Sequence, residues 1–185
     1  MRANLKDDYN IMQLQNCILS IAEYLDSFCK QNDIDYCLMG GSALGAVRHQ
    51  GFIPWDDDLD VFMRPDEYKR FREQFYKCGD TSKYYLQEWG ACEGMVSFAK
   101  LRLNKSTLIE KDLERFDVHQ GVYVDIFILH TCPNNSLKRL NQYFWAKYLV
   151  AKGAANRGYS KPGVKGIVLT LLRAVSYTHL RAHET

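Results

Sequence analysis

The sequence has little proline, no paired cysteine motif and no long apolar run. Only four of its 185 residues are proline, and its six cysteines form no C-x-x-C pair. Its N-terminus, MRANLKDDYN, shows no signal peptide, so this pattern predicts reduced thiols in a cytoplasmic protein. No apolar run approaches the roughly 18 residues that span a bilayer. We therefore expect no more than peripheral contact with the inner face of a membrane.

An excess of charge of one sign is also missing. The chain has 24 Lys and Arg residues against 22 Asp and Glu, a net charge of +2, and the basic residues are scattered. Proteins that bind nucleic acid usually present a strongly basic face, so the composition argues against nucleic acid as the main partner. Hydrophobic residues make up 46% of the chain and charged residues 25%, which is typical of a globular domain with a core.

A single domain is expected over residues 1–174, because the chain has the length of one ordinary domain. The final segment, VSYTHLRAHET (residues 175–185), has no apolar periodicity and resembles the adaptor-derived translation that ends some assembled reading frames. We expect it to be a non-native tail behind a domain that is truncated at its C-terminus. We therefore discount His179 and His183, although their spacing of four imitates a metal-binding pair.

Apolar periodicity predicts an α+β fold with an α/β-like layout, in which helices flank a mixed β-sheet. The helices, of which the N-terminal one is long and amphipathic, are expected over 5–30, 43–49, from 65 onward and over 136–156. Strands are expected over 35–39, 58–63, 84–88, 95–103, 106–110 and 121–129. The inner side of the last helix is expected to carry Leu137, Leu140, Phe144, Tyr148 and Ala151.

The most informative stretch is GGSALGAVRHQGFIPWDDDLDVFM, which crowds Asp56, Asp57, Asp58 and Asp60 into five positions. Like charges so close repel one another, so a cation, a basic partner or water must offset the repulsion. On a strand, Asp58 and Asp60 share one face. Carboxylates are the protein ligands that Mg²⁺ usually takes, with substrate phosphates completing its shell. The pattern therefore indicates a divalent cation at Asp58 and Asp60.

Asp125 lies inside another informative segment, the apolar strand GVYVDIFIL. Burying a carboxylate in such a strand is costly unless it is paired or bound to a metal. We expect Asp125 to be the third ligand or the base that activates an acceptor hydroxyl. A buried aspartate paired with a basic side chain is the structural alternative.

The glycine turn before the acidic run is expected to bind phosphate. Gly40 and Gly41 allow backbone N–H groups to approach a phosphate closely, and Ser42 is expected to cap the helix that follows, whose N-terminus adds partial positive charge. Arg48 and Lys100 are further candidates for contact with phosphate or nucleotide.

Asp56 is a candidate outer-shell ligand, and Asp57, on the opposite face, is a candidate for the outer shell or for an ion pair or turn hydrogen bond; a direct catalytic role stays open for both. A calcium loop is an alternative, with Asp56, Asp58 and Asp60 at positions 1, 3 and 5 and Glu67 at position 12. That alternative is weak, because Val61 stands where the loop needs glycine.

The order of these motifs resembles the nucleotidyltransferase fold of the DNA polymerase β superfamily. More narrowly, GGSALGAVRHQGFIPWDDDLDVFM, FAKLRLNKSTLIE and GVYVDIFIL are similar to the LicD family, which includes phosphocholine transferases and fukutin-type sugar-phosphate transferases. The similarity extends from the first helix to about residue 165. One departure is Ile128, where the family often has proline.

The resemblance implies a phosphotransferase that uses Mg²⁺, or Mn²⁺ in its place. Such an enzyme moves a phospho-alcohol group, with phosphocholine as the leading candidate, from a CDP-linked donor such as CDP-choline. The acceptor is a hydroxyl of a surface glycan or its lipid-linked precursor, and CMP is released. The glycan would be lipopolysaccharide or teichoic acid. The resemblance also implies that Asp58, Asp60 and Asp125 hold the metal, while Gly41 and Ser42 contact the donor phosphates.

Two other functions stay open at this point. One is a nucleotidyltransferase that adds a nucleoside monophosphate to a small molecule, as other members of the superfold do. The other is a non-catalytic module that binds a nucleotide or a metal.

Overall fold

A computed structural model describes residues 10–88, 98–111 and 113–156 of the chain. Within these residues the elements follow one another as α1 (Ile11–Gln31), β1 (Cys37–Leu38), α2 (Gly40–His49), β2 (Asp60–Met63), α3 (Pro65–Cys78), β3 (Tyr84–Gln87), β4 (Ala99–Leu103), β5 (Tyr123–Ile128) and α4 (Ser136–Asn156). The segment expected to be a non-native tail lies outside the described residues.

The long N-terminal helix is confirmed as α1. Asn10 begins it as an N-cap, since its side chain accepts a hydrogen bond from the Gln13 N–H at 3.2 Å. The apolar residues that recur every three or four positions share one side of the helix. Four of them are buried: Ile18, Ile21, Leu25 and Phe28.

The sheet is mixed, as the sequence predicts, with strand order β1-β2-β5-β4-β3. Strands β2 and β5 are parallel, and the other three neighbouring pairs are antiparallel. Side chains alternate between the two faces of each strand. One face joins the core through residues such as Val61, Leu101 and Ile126, each at most 1% exposed. The opposite face carries Asp60 and Asp125, which are therefore held by a rigid element.

Aromatic side chains of α1 and α3 cover the core-facing side of this sheet. Phe28 contacts Phe71 and Phe75 edge-on, with ring centroids 5.7 and 6.2 Å apart. Pro65 begins α3 at a position where its missing N–H costs nothing. Burial of each phenylalanine contributes about 1.5–3 kcal/mol to the free energy of folding. The sheet that bears Asp60 and Asp125 on its other face is therefore backed by a packed layer.

Three local expectations are wrong. The strand expected over 58–63 begins at Asp60, so Asp58 lies in the preceding loop. Helix α2 begins at Gly40, so Ser42 lies within the helix instead of capping it. Residues 106–110 form no strand. Ser106 Oγ donates to the Leu103 carbonyl and accepts from the Val122 N–H, at 2.7 and 2.9 Å, and these side-chain bonds replace a strand ladder.

The chain divides into two compact units. The first contains the sheet and α1 to α3, and comprises the chain up to Gln87 together with Phe98–Ile109 and His119–His130. The second comprises Glu88–Ser97, Glu110–Val118 and Thr131–Thr185, and its described part contains α4 and a small apolar cluster around Leu113. In the described part of the chain no helix is long and apolar enough to cross a membrane.

The inner side predicted for α4 is wrong in part. Leu137, Leu140 and Phe144 are 77%, 65% and 61% exposed, whereas Tyr148 and Ala151 are half-buried. Apolar side chains also occupy other sides of this helix, where Trp145 and Val150 are exposed. Because they form no single stripe, periodicity could not identify a buried face.

Candidate active site

The turn from β1 into α2 is built around glycine. Gly40 has φ +52°, in the left-handed region that favours glycine. The Met39 N–H donates to the Asp60 carbonyl at 2.9 Å, which joins the end of β1 to the start of β2. Ser42 Oγ accepts a hydrogen bond from the Asp60 N–H at 2.9 Å. The serine therefore fixes the first turn of α2 to the strand that carries Asp60.

Gly41 allows Asp56 to approach this helix end. A Cβ atom added to Gly41 would lie 2.9 Å from Asp56 Oδ2, so the carboxylate lies close to the backbone of the first turn. The partial positive charge at a helix N-terminus favours a carboxylate there. The glycine turn and the acidic run thus meet at Gly41 and Asp56.

The loop that carries the acidic run is held by Gln15 of α1. Its Nε2 donates to the carbonyls of Ile53 and Asp56, at 3.1 and 2.9 Å. The Asp56 N–H also donates to the Ile53 carbonyl at 2.9 Å, which closes a turn. Sequence reasoning missed Gln15, because a single glutamine on an amphipathic helix carries no signal of such a contact.

Three consecutive carboxylates gather at the end of this loop. Asp56, Asp57 and Asp58 each offer a ligand oxygen, and these atoms lie within 4.8 Å of one another. Burial, followed by the charge of Asp60, raises the pKa of Asp58 to about 6. Burial also raises the pKa of Asp60 and of Asp56, the latter with a contribution from Asp57. These carboxylates are crowded and partly desolvated, which is the donor set that suits a hard divalent ion.

Asp60 and Asp125 come together by strand pairing. They are register partners on the parallel strands β2 and β5, and Lys100 on β4 is the register partner of Asp125 on its other side. Lys100 is 3% exposed, and its Nζ lies 2.9 Å from Asp125 Oδ1. The same Nζ lies 3.4 Å from the centroid of the Tyr123 ring. The charge of Lys100 lowers the pKa of Asp58 and Asp60 against the larger effect of burial.

The predicted site residues therefore fall into two groups. Gly40, Gly41 and Ser42 lie at the start of α2, beside the acidic loop. Asp60, Asp125 and Lys100 form a row across three strands. Asp58 lies between these groups in the chain, just before β2.

Arg48 is placed apart from the other candidates. It lies in the last turn of α2 and is exposed. Because a helix rises 1.5 Å per residue, Arg48 is about 12 Å along the axis from Gly40. It can reach a bound phosphate only if the ligand extends along α2.

The calcium-loop alternative does not fit the structure. The Glu67 carboxylate, which would be its last ligand, accepts a hydrogen bond from the Asp35 N–H at 3.1 Å and another from Arg64 at 3.1 Å. Glu67 is buried in α3, so it is committed to other partners.

A five-stranded mixed sheet flanked by helices, with aspartates on two parallel strands beside a Gly-Gly-Ser turn, defines a nucleotidyltransferase-like α+β domain. The chain belongs to the family described as LicD/FKTN/FKRP, nucleotidyltransferase domain, whose family model matches residues 33–150. The resemblance drawn from the three motifs is thereby confirmed.

Individual relatives match part of the chain. The chain is 42% identical over 78 residues to the lipopolysaccharide cholinephosphotransferase LicD of Haemophilus influenzae, a match that covers 42% of this chain and 29% of that protein. It is 47% and 46% identical over 57 residues to uncharacterized proteins of Rickettsia prowazekii and Rickettsia typhi, which covers 29% of this chain in each case and 21% and 18% of those proteins. The chain thus matches less than a third of the length of these relatives.

Proposed function

We propose that this domain is a Mg²⁺-dependent phosphotransferase. It moves a phospho-alcohol group, with phosphocholine as the leading candidate, from a CDP-linked donor to a hydroxyl of a cell-surface glycan or its lipid-linked precursor, and CMP leaves. The observation that carries the proposal is the pairing of Asp60 with Asp125 on adjacent parallel strands, with Asp58 just before β2 and a glycine turn beside them, in a LicD-family domain. The name of the Haemophilus influenzae relative supports phosphocholine and lipopolysaccharide as the first compounds to test.

The proposed ligands of the ion are Asp58, Asp60 and Asp125, with Asp56 and Asp57 in its outer shell. Bound Mg²⁺, or Mn²⁺ in its place, would supply positive charge that neutralises the donor phosphates. The residues present suit such an ion, because their oxygens are hard ligands and burial has already removed part of their hydration. Lys100 holds Asp125 in place from the neighbouring strand.

In the proposed transfer, an oxygen of the acceptor hydroxyl bonds to the phosphorus that carries the alcohol. The bond between that phosphorus and the oxygen bridging to CMP breaks, and CMP leaves with the bridging oxygen. The hydroxyl proton passes to a carboxylate, for which Asp125 is the candidate base if it is not a ligand. Gly40, Gly41 and Ser42 position the donor phosphates.

Catalysis in such a site depends on positioning and charge. Backbone N–H groups at the first turn of α2 favour phosphate oxygens, and Lys100 adds a fixed positive charge. The proposal includes a location in the cytoplasm at the inner face of the membrane, where both a CDP-linked donor and a lipid-linked acceptor would be present.

The direct test is release of CMP. The chain is incubated with CDP-choline, Mg²⁺ and a lipopolysaccharide acceptor, and CMP and the modified glycan are measured by chromatography and mass spectrometry. Asp125→Asn should lower turnover by at least roughly 100-fold, since it removes either a ligand of the ion or the base that takes the hydroxyl proton. Asp66→Asn is the matched control, because Asp66 is an exposed carboxylate on α3.

Each rival function predicts a different product. A nucleotidyltransferase would release pyrophosphate from a nucleoside triphosphate and leave a nucleotide-tagged product. A binding module would show no turnover with any donor. Undiminished CMP release by Asp125→Asn would contradict the proposed role of this residue.

A further inference from the structure

The first unit contains a cavity of about 370 Å³ beside the acidic site. Its walls come from α1, α2 and the loop after α2, and they include Leu19, Leu38 and Phe52. Leu19 and Leu38 are 44% and 38% exposed at this cavity. The volume lies at the lower end of the range of small-molecule pockets, so a small organic group would fill it.

The charged side chains of this cavity are all acidic. Glu23, Asp26 and Asp56 line it, and no lysine, arginine or histidine is among the described residues that do so. Asp26 accepts a hydrogen bond from the Tyr36 hydroxyl at 2.9 Å and forms an ion pair with Lys30 at 2.6 Å, whereas Glu23 is exposed to solvent. The potential inside the cavity therefore favours a cation.

Two aromatic side chains make the cavity suited to an organic cation. Tyr36 and Phe52 both line it and are both half-buried. Aromatic faces attract alkylammonium groups, and the attraction grows when the groups are shielded from water. A hydrated metal ion would gain nothing from the leucine walls, and a neutral alkyl chain would gain nothing from the carboxylates of Glu23 and Asp56.

The cavity also extends to the candidate active site. Ser42 and Asp56 belong to its lining, and they are the residues that join the glycine turn to the acidic run. A ligand in the cavity would therefore have one end next to the proposed phosphate position.

We propose that this cavity, which we call the α1–α2 cavity, binds an organic ammonium ion, with Phe52 and Tyr36 against its alkyl groups and Glu23 near its charge. The assignment of that ion as the head group of the transferred phospho-alcohol rests on the proposed function. The binding of the ammonium ion itself depends only on the cavity. The cavity would then select donors with a cationic alcohol over donors with a neutral polyol.

The first experiment measures binding without a donor or a divalent ion. Choline and tetramethylammonium are titrated into the chain by calorimetry, with 3,3-dimethylbutan-1-ol, a neutral carbon analogue of choline, as the probe for simple apolar binding. We expect the two ammonium ions to bind and the neutral analogue to bind at least about fivefold more weakly. Equal binding of choline and the neutral analogue, or no binding of either ammonium ion, would overturn the proposal.

Variants then place the bound ion in the cavity. Phe52→Leu removes an aromatic face while keeping an apolar wall, and Glu23→Gln removes a charge; each should weaken choline binding by about threefold or more. The matched controls are Tyr76→Leu and Glu73→Gln, which change exposed α3 residues outside the cavity. If the controls weaken binding as much as the cavity variants do, the bound ion lies elsewhere and the proposal is wrong.

Steady-state kinetics separate this proposal from the proposed function. With Phe52→Leu, we expect the KM for CDP-choline to rise while the KM for CDP-glycerol stays unchanged. Choline binding at the α1–α2 cavity without CMP release from any donor would contradict only the proposed function. CMP release from CDP-choline at an unchanged KM in Phe52→Leu would contradict only the assignment of the cavity.

Discussion

The ammonium of Lys100 lies 2.9 Å from Asp125 Oδ1, and the two side chains are 3% and 10% exposed. Strand register brings them together, because Lys100 and Asp125 are partners on the antiparallel strands β4 and β5. Asp125 is in turn the partner of Asp60 on β2. The fold thus places a basic side chain beside the carboxylates, and its charge offsets that of Asp125. The four clustered aspartates are left for a bound divalent ion to compensate.

Removal of this cation should destabilise the protein. Lys100→Met leaves Asp125 buried without its partner, and we expect the free energy of unfolding in urea to fall by about 3–5 kcal/mol. The double variant Lys100→Met with Asp125→Asn should recover part of the loss. Lys30→Met is the control, since its pair with Asp26 is largely exposed and should contribute at most about 1 kcal/mol. Equal losses in the two single variants would show that burial of the Lys100 pair does not matter.

Gly41 should matter for metal binding more than for stability. In Gly41→Ala the added Cβ would lie 2.9 Å from Asp56 Oδ2, so the Asp56 carboxylate must move, while alanine is the better helix former. We expect an unchanged or slightly raised unfolding free energy and a weaker affinity for Mg²⁺, measured by calorimetry. In Gly51→Ala the nearest atom is the His49 carbonyl at 4.0 Å, so this control should keep its affinity. A full affinity in Gly41→Ala would remove Asp56 from the metal site.

Mg²⁺ should stabilise the folded chain through the proposed ligands. At a concentration one hundred times its Kd, an ion that binds only the folded state adds about 2.7 kcal/mol, which a thermal melt detects as a raised Tm. Asp58→Asn and Asp60→Asn should abolish this increase, and Asp57→Asn should reduce it only slightly. The opposite pattern, a loss in Asp57→Asn but not in Asp60→Asn, would assign the ion to the Asp56–Asp58 group.

The general layout of this site could be predicted from the sequence. Alternation placed Asp60 on one face of a short strand and Asp125 inside an apolar strand. The glycine turn was expected just before the helix, and α2 in fact begins at Gly40. Pairing partners could not be predicted in this way, because register depends on contacts between distant segments. The sequence alone could not show that Lys100 is the basic partner of Asp125, because that contact depends on the register of β4 against β5.

Side-chain contacts with the backbone were equally inaccessible. Ser42 was assigned to a helix cap because serine favours that position, but its hydroxyl accepts from the Asp60 N–H instead. Gln15 holds the acidic loop through two carbonyls that lie far along the chain. A cavity such as that between α1 and α2 depends on how helices pack, and residue periodicity describes only which side of a helix is apolar.

A pH-sensitive contact lies at the far end of the same sheet. The Gly121 N–H donates to His119 Nδ1 at 3.1 Å, and His119 Nε2 lies 3.0 Å from Asn104 Oδ1. Nδ1 is therefore the acceptor and Nε2 the donor, which is the neutral ring. Burial lowers the pKa of His119, and the charge of Arg102 lowers it further. Protonation of Nδ1 would set two donors against each other and break the bond from Gly121.

This contact should make the protein less stable in mild acid. Because the pKa of His119 is lower in the folded state than in the unfolded chain, near 6.5, the unfolded state takes up its proton first as the pH falls. The stability is complete above about pH 7 and declines from the unfolded pKa down to the lowered folded pKa. Urea unfolding between pH 5 and 7.5 should show this decline in the wild type and a smaller one in His119→Asn, whose amide can still accept a hydrogen bond. His49→Asn is the control, since His49 is exposed at the end of α2; an equally small decline in this control would assign the pH dependence to a group other than His119.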